Sequence, residues 1–205
     1  MLLAAVVGSG IMGDKLSGGN AGLVLLANSL ATGAILFVLI TIFGPVSGAH
    51  FNPAVTAVMR LRGEIARPDA LAYAAAQLAG GLTGVAAAHA MFDLALLQTS
   101  ATARHGTGQW IAEAIATFGL IVTILGAVRF RPDNVAPAVG LYIVSAYWFT
   151  ASTSFANPAV TIARAFTNTF AGIAPSDAAA FIAAQIIGAL AGYILGSWLF
   201  DGARA

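Results

Sequence analysis

The chain has 205 residues, 59% of them hydrophobic and 8% charged, with a formal net charge of +1 and a mean hydropathy of +0.88. A soluble domain carries about a quarter charged residues, so this composition excludes one and indicates an all-α integral protein of the lipid bilayer. The balanced charge argues against nucleic acid or an acidic substrate. The absence of cysteine excludes disulfides and thiolate metal sites.

Taken in chain order, residues 2–13 are apolar but reach only about 18 Å against a hydrocarbon core of about 30 Å. This first span therefore reads as cut short, and it lacks the positive n-region and cleavage site of a signal peptide. After a polar loop, residues 23–43 form a full-length span. Gly44-Pro45-Val46-Ser47-Gly48 is expected to break it, and Asn52-Pro53-Ala54-Val55-Thr56 follows. Asn is a strong N-cap, and Pro is tolerated at the first helical position because its missing N–H has no intrahelical partner. A helix starting at Pro53 inside an apolar environment results, too short to cross, ending near Arg60. The Asn carbonyl caps its own helix, which leaves the NH2 free to donate into the space in front. A charged loop leads to a third span, 69–93, and a polar connector covers 96–108.

The second half is expected to run in the same order. Residues 109–128 are a fourth span and 135–149 a fifth. Thr150-Ala151-Ser152-Thr153-Ser154 interrupts the chain, and Asn157-Pro158-Ala159-Val160-Thr161 repeats the earlier pentapeptide, with a short helix ending near Thr167. The last span runs from Pro175-Ser176-Asp177, with Ser176 as N-cap, to Phe200. Ala75-Ala76-Gln77-Leu78-Ala79-Gly80 also pairs with Ala183-Ala184-Gln185-Ile186-Ile187-Gly188. Residues 1–205 thus read as a single domain of two halves, about 1–95 and 109–205. Three spans per half invert the second copy, and inverted repeats whose half-helices meet at the midplane are a transport architecture. Arg60, Arg62, Arg67, Arg129, Arg131 and Arg204 outnumber Lys15, Arg104 and Arg164 on the other side, which puts both termini in the cytoplasm.

Ser47 to Thr56, the second Asn157-Pro158-Ala159, and the Trp110 to Gly119 stretch with Glu113 resemble the aquaporin, or major intrinsic protein, family over nearly the whole chain. The resemblance implies a bundle of six transmembrane helices plus two re-entrant half-helices, usually tetrameric, in the cell's inner (plasma) membrane. It implies a passive channel for water and small neutral solutes that excludes ions and protons, without a cofactor and without catalysis. The pore motifs would be Asn52, Pro53, Ala54, Asn157, Pro158 and Ala159. Two positive half-helix ends and two amide donors at the centre suit a neutral solute and repel a cation.

Where most of the family has an Arg after the second Asn-Pro-Ala, this chain has Val160. The implied filter is Thr32, Tyr147 (with Ser145 as the alternative), Ser154 and Val160, without a cation and wider than a water-selective one. It resembles that of a bacterial branch associated with arsenic resistance, which extends the expected solutes to glycerol-like polyols, urea and arsenous acid. Arg164, one turn beyond Val160, is expected to be solvated or lipid-facing, with a lean toward the pore mouth as the alternative. Glu113 is expected to anchor loop backbone rather than relay protons. Its first-span counterpart is missing, which points to a misassigned start or a less well held loop. His50 is expected to make a structural hydrogen bond while lying near the path, where it lines or gates the pore. His89 and His105 show no metal-ligand spacing. Trp110, Trp148 and Trp198 fit an aromatic belt, and the Gly80/Gly84 and Gly188/Gly192/Gly196 series fit close helix contacts within or between subunits. A secondary transporter is the alternative, but coupling calls for ionisable groups at mid-membrane. No paired carboxylates, Ser-His-Asp set or metal cluster supports an enzyme.

Overall fold

A computed structural model describes residues 1–202 of the chain, which places the expected inside cation Arg204 outside the described residues. These residues form α1 (Leu2–Leu16), α2 (Ala21–Ser47), α3 (Pro53–Leu61), α4 (Arg67–Met91), α5 (Thr107–Phe130), α6 (Val135–Phe149), α7 (Pro158–Arg164) and α8 (Pro175–Gly196). Short 3-10 and π turns, Pro132–Asn134 and Ser197–Asp201, flank α6 and α8. Among the described residues, α2, α4, α5 and the α8 region are long and apolar enough to cross a membrane. Helices α1 and α6 have 15 residues each.

The helix contacts come in matched sets. Helix α1 packs on α4 as α5 packs on α8, α1 touches α2 as α5 touches α6, and α4 meets α7 as α8 meets α3. Helices α2 and α6 pack on each other, and so do α3 and α7. The two short helices, α3 and α7, meet inside the bundle. Large apolar residues such as Val46, Leu141, Ile187 and Ile194 lie exposed around it, as a lipid-facing surface requires.

Buried polar ties fix neighbouring helices. Asn28 on α2 donates through Nδ2 to the Val6 carbonyl at 2.7 Å and to Ser9 Oγ at 2.9 Å. Trp148 Nε1 on α6 donates to Ser29 Oγ at 3.1 Å. Small residues decide how closely helices approach. A Cβ on Gly188 would fall onto the Ala114 carbonyl, and one on Gly192 would lie 2.8 Å from the Phe118 oxygen. The glycine series of α8 therefore faces α5 of the same chain. Gly84 lies against α1, whereas a Cβ on Gly80 meets nothing within 4 Å. Gly188→Val is expected to push α8 off α5 at a cost of about 1–3 kcal/mol, as overpacking does. Thermal unfolding in detergent checks this, with Gly80→Val as the near-neutral comparison.

Three local expectations need correction. Gly44-Pro45 does not end the second span: α2 continues to Ser47 and stops at Gly48, which has φ 72°. A Pro forfeits a single backbone hydrogen bond, and here Tyr73 on α4 holds the last turn by donating its hydroxyl to the Ser47 carbonyl at 2.9 Å. Ser176 is not the N-cap of α8. Ala174 takes that place with Pro175 in the first turn, and no side chain caps it. Helix α7 ends at Arg164, short of Thr167, because Thr167 is drawn away to bond His89 Nε2 at 2.8 Å.

Candidate functional site

Each pentapeptide starts a short helix with its Asn as N-cap and its Pro in the first turn. Asn52 Oδ1 accepts the Ala54 N–H at 2.9 Å. Asn157 Oδ1 accepts those of Ala159 at 3.0 Å and Val160 at 3.2 Å. The carboxamide nitrogens are not left wholly free, as the sequence suggested. Asn52 Nδ2 donates to the Ala156 carbonyl at 2.7 Å, and Asn157 Nδ2 donates to the Phe51 carbonyl at 2.9 Å. Each Asn thus reaches across to the residue preceding the other. An NH2 carries two hydrogens, so one on each side remains available.

The loops leading into these helices take matching shapes. Ala49 and Phe51 before Asn52, and Ser154 and Ala156 before Asn157, all have positive φ between 47° and 49°. Non-glycine residues there cost of order 1–3 kcal/mol each and persist only when their surroundings hold them. In the second half the holder is Glu113, which is fully buried. Its Oε1 accepts the Phe155 N–H at 2.8 Å, and its Oε2 accepts that of Ala156 at 2.8 Å and Gln185 Nε2 at 2.6 Å. Gln185 also donates to Thr161 Oγ1 at 2.8 Å. In the first half Gln77 Nε2 repeats the bond to Thr56 Oγ1 at 3.0 Å, and the buried Oε1 of Gln77, like that of Gln185, has no partner. Helix α1 brings no carboxylate there, since its acidic residue, Asp14, lies in its last turn.

A cavity of about 250 Å³ is lined by both carboxamide residues, Asn52 and Asn157, and by His50, Glu64, Tyr147, Ser154 and Arg164. Thr32 and Val160 line it too, and the Thr32 and Tyr147 hydroxyls lie 3.2 Å apart. Ser145 does not line it: it is exposed and its Oγ donates to the Tyr142 carbonyl. A larger cavity of about 490 Å³ beside Gln77 and the start of α1 contains neither carboxamide. His50 Nδ1 lies 3.1 Å from Thr56 Oγ1, so the residue both bonds and lines the path.

Arg164 takes the less expected of its two positions. It lies one helical turn beyond Val160, is 1% exposed and lines the same cavity. It is therefore not a loop charge of the outer face. Arg104, another expected loop charge, folds inward. It donates from Nε to the Gly172 carbonyl at 2.7 Å, from Nη1 to Ser152 at 3.3 Å and from Nη2 to Phe170 at 3.4 Å. Burial lowers the Arg104 pKa from its ordinary value, with Glu113 and Tyr147 opposing the shift.

The sequence profile described as Major intrinsic protein matches residues 1–133. The chain belongs to this family. Aquaglyceroporin AqpS of Rhizobium meliloti (strain 1021) is 56% identical over 204 residues, covering 100% of this chain and 87% of that protein. The lens fiber major intrinsic protein of Gallus gallus is 32% identical over 165 residues, 70% of this chain and 61% of that one. The X-ray structure of the aquaglyceroporin from Plasmodium falciparum matches with a TM-score of 0.68 at 20% identity, over 98% of this chain and 91% of that chain. That likeness shows a shared fold.

In this major intrinsic protein, sequence reasoning missed the inward placement of Arg104 and the part played by Phe155 between Arg104 and Arg164. For Arg164 the inward position is the alternative that the count of one turn from Val160 offers. His89 is a core residue, bonded to the Leu96 carbonyl and to Thr167. Exposed His105 faces Asp177 at 3.6 Å.

Proposed function

We propose that the chain is a passive transmembrane channel for water and small neutral solutes of the glycerol class, and that it excludes ions and protons. The observation that carries this reading is the placement of Asn52 and Asn157 side by side on one cavity, each capping a short helix. A solute with oxygen lone pairs exchanges its waters for the two remaining amide hydrogens. At the centre a cation meets donors and the positive ends of helices, and the neighbouring Phe51 and Ala156 carbonyls are already engaged by the carboxamides. On this reading Asn52, Pro53, Ala54, Asn157, Pro158 and Ala159 form the narrow centre, and Glu113 anchors the loop. Thr32, Tyr147, Ser154 and Val160 line the outer filter, which admits urea and arsenous acid as well as glycerol. The bundle inserts in the plasma membrane with both termini cytoplasmic and assembles as a homotetramer of parallel pores. A coupled transporter is the weaker reading, because the buried carboxylate Glu113 already accepts three hydrogen bonds.

Stopped-flow light scattering of proteoliposomes in glycerol, urea, arsenous acid and water gradients tests the solute range. Flux above that of empty vesicles for water and glycerol is expected, and its absence for every solute would overturn the reading. Val160→Arg adds a bulky cation to the filter wall and is expected to lower glycerol permeability relative to water about tenfold, a change worth about 1.4 kcal/mol.

A further inference from the structure

Two residues that line the pore cavity each carry a buried polar atom without a partner: Nη1 of Arg164 and Oγ of Ser154. Buried donors in native proteins are almost always paired. The Arg164 head is nevertheless held firmly. Its Nε donates to the Ala171 carbonyl, and its guanidinium carbon lies 3.4 Å from the Phe155 ring centroid. Phe155 in turn meets Phe181 edge-on at 5.2 Å. A fixed arginine with a donor left over, facing a cavity, is arranged for something that comes and goes.

Arg104 supplies the contrast. Its guanidinium also lies over Phe155, at 5.0 Å, but Nε, Nη1 and Nη2 are all committed to loop carbonyls. Arg104 is a clamp for the connector, whereas Arg164 keeps a donor in reserve. The carboxylate nearby, Glu113, has both oxygens engaged and does not claim that donor.

We propose that Arg164 is the cationic selectivity residue of this pore, offering Nη1 to an oxygen of the passing solute while Ser154 Oγ bonds a second one. This rests on the channel reading above and deepens it. The ligand class is a neutral solute with two oxygens within reach of both groups, such as a vicinal polyol. The guanidinium reaches the filter from one helical turn beyond Val160, whose side chain carries no donor. Any cation that approaches is repelled here, before it meets the two carboxamides.

The test compares wild type, Arg164→Gln and Arg164→Lys in proteoliposomes, reading glycerol and water permeability together with sodium leak. Wild-type flux checks the channel reading by itself; the variants check only the role of Arg164. Arg164→Gln is expected to change the glycerol-to-water ratio at least threefold and to open a sodium leak. Arg164→Lys, which keeps the charge without the fork, is expected to change the ratio while holding the leak closed. An unchanged ratio and leak in folded variants would overturn the proposal. Should neither variant fold, 2,3-butanedione modification of the wild-type protein decides. Arg164 is expected to react from the pore and to be slowed by glycerol. An inert Arg164 beside a reactive, exposed Arg60 would contradict the proposal.

Discussion

Replacing Glu113 with alanine is expected to abolish the folded channel. The substitution strands the buried Phe155 and Ala156 N–H groups and takes one of two acceptors from the Gln185 amide, which keeps Thr161 Oγ1. Each unsatisfied N–H costs about 1–3 kcal/mol, so the two together remove a large share of the stability of an ordinary domain. The loss falls on a loop that already holds Ser154 and Ala156 at positive φ. Glu113→Gln restores the shape but turns an NH2 toward one of the two backbone donors, so an intermediate loss is expected. The monodisperse fraction and thermal midpoint in detergent check both variants. Gln77→Ala is the comparison, since Gln77 makes a single bond through Nε2 and its Oε1 is already unpartnered. It is expected to cost far less than Glu113→Ala.

The second large effect concerns selectivity. Asn157→Asp preserves volume and the capping oxygen that receives Ala159 and Val160. It removes the donor to the Phe51 carbonyl and sets an anionic oxygen against that carbonyl. A unit charge about 4 Å from a passing cation is worth about 4 kcal/mol at an effective dielectric near 20, roughly a thousandfold in the cation's local population. The variant is expected to lose glycerol flux and gain a cation current. Bilayer recording under a sodium gradient reads the current, and an unaltered neutral-only flux would show that Asn157 does not set the barrier.

The parts of the site legible in the sequence were those written in local residue chemistry. Asn-Pro at a helix start is an N-cap followed by a tolerated proline, so α3 and α7 could be placed before any packing was known. The repeat of that motif, with Gln77 and Gln185 after it, implied two equivalent halves, and the helix contacts pair accordingly. A lone Glu within the fourth span demanded buried partners, and it has them. What stayed hidden depends on contacts distant in the chain. Nothing local says that Ala49, Phe51, Ser154 and Ala156 adopt positive φ, because glycine is the usual signal and none of them is glycine. Nor does Gly44-Pro45 announce that α2 continues, since Tyr73 on another helix secures its last turn. Arg164 reads first as a surface charge, with the pore mouth as the alternative, because arginine in a last helical turn is usually exposed. Its burial rests on the Ala171 carbonyl and the Phe155 ring, neither of which a single-chain reading places beside it.

The most direct measurement is glycerol reswelling of proteoliposomes under an imposed potassium diffusion potential of either sign. Two carboxamides on a neutral pathway predict a rate well above that of empty vesicles, linear in the gradient and indifferent to the polarity of the potential. A rate equal to the lipid background, or one that follows the potential, would contradict the account.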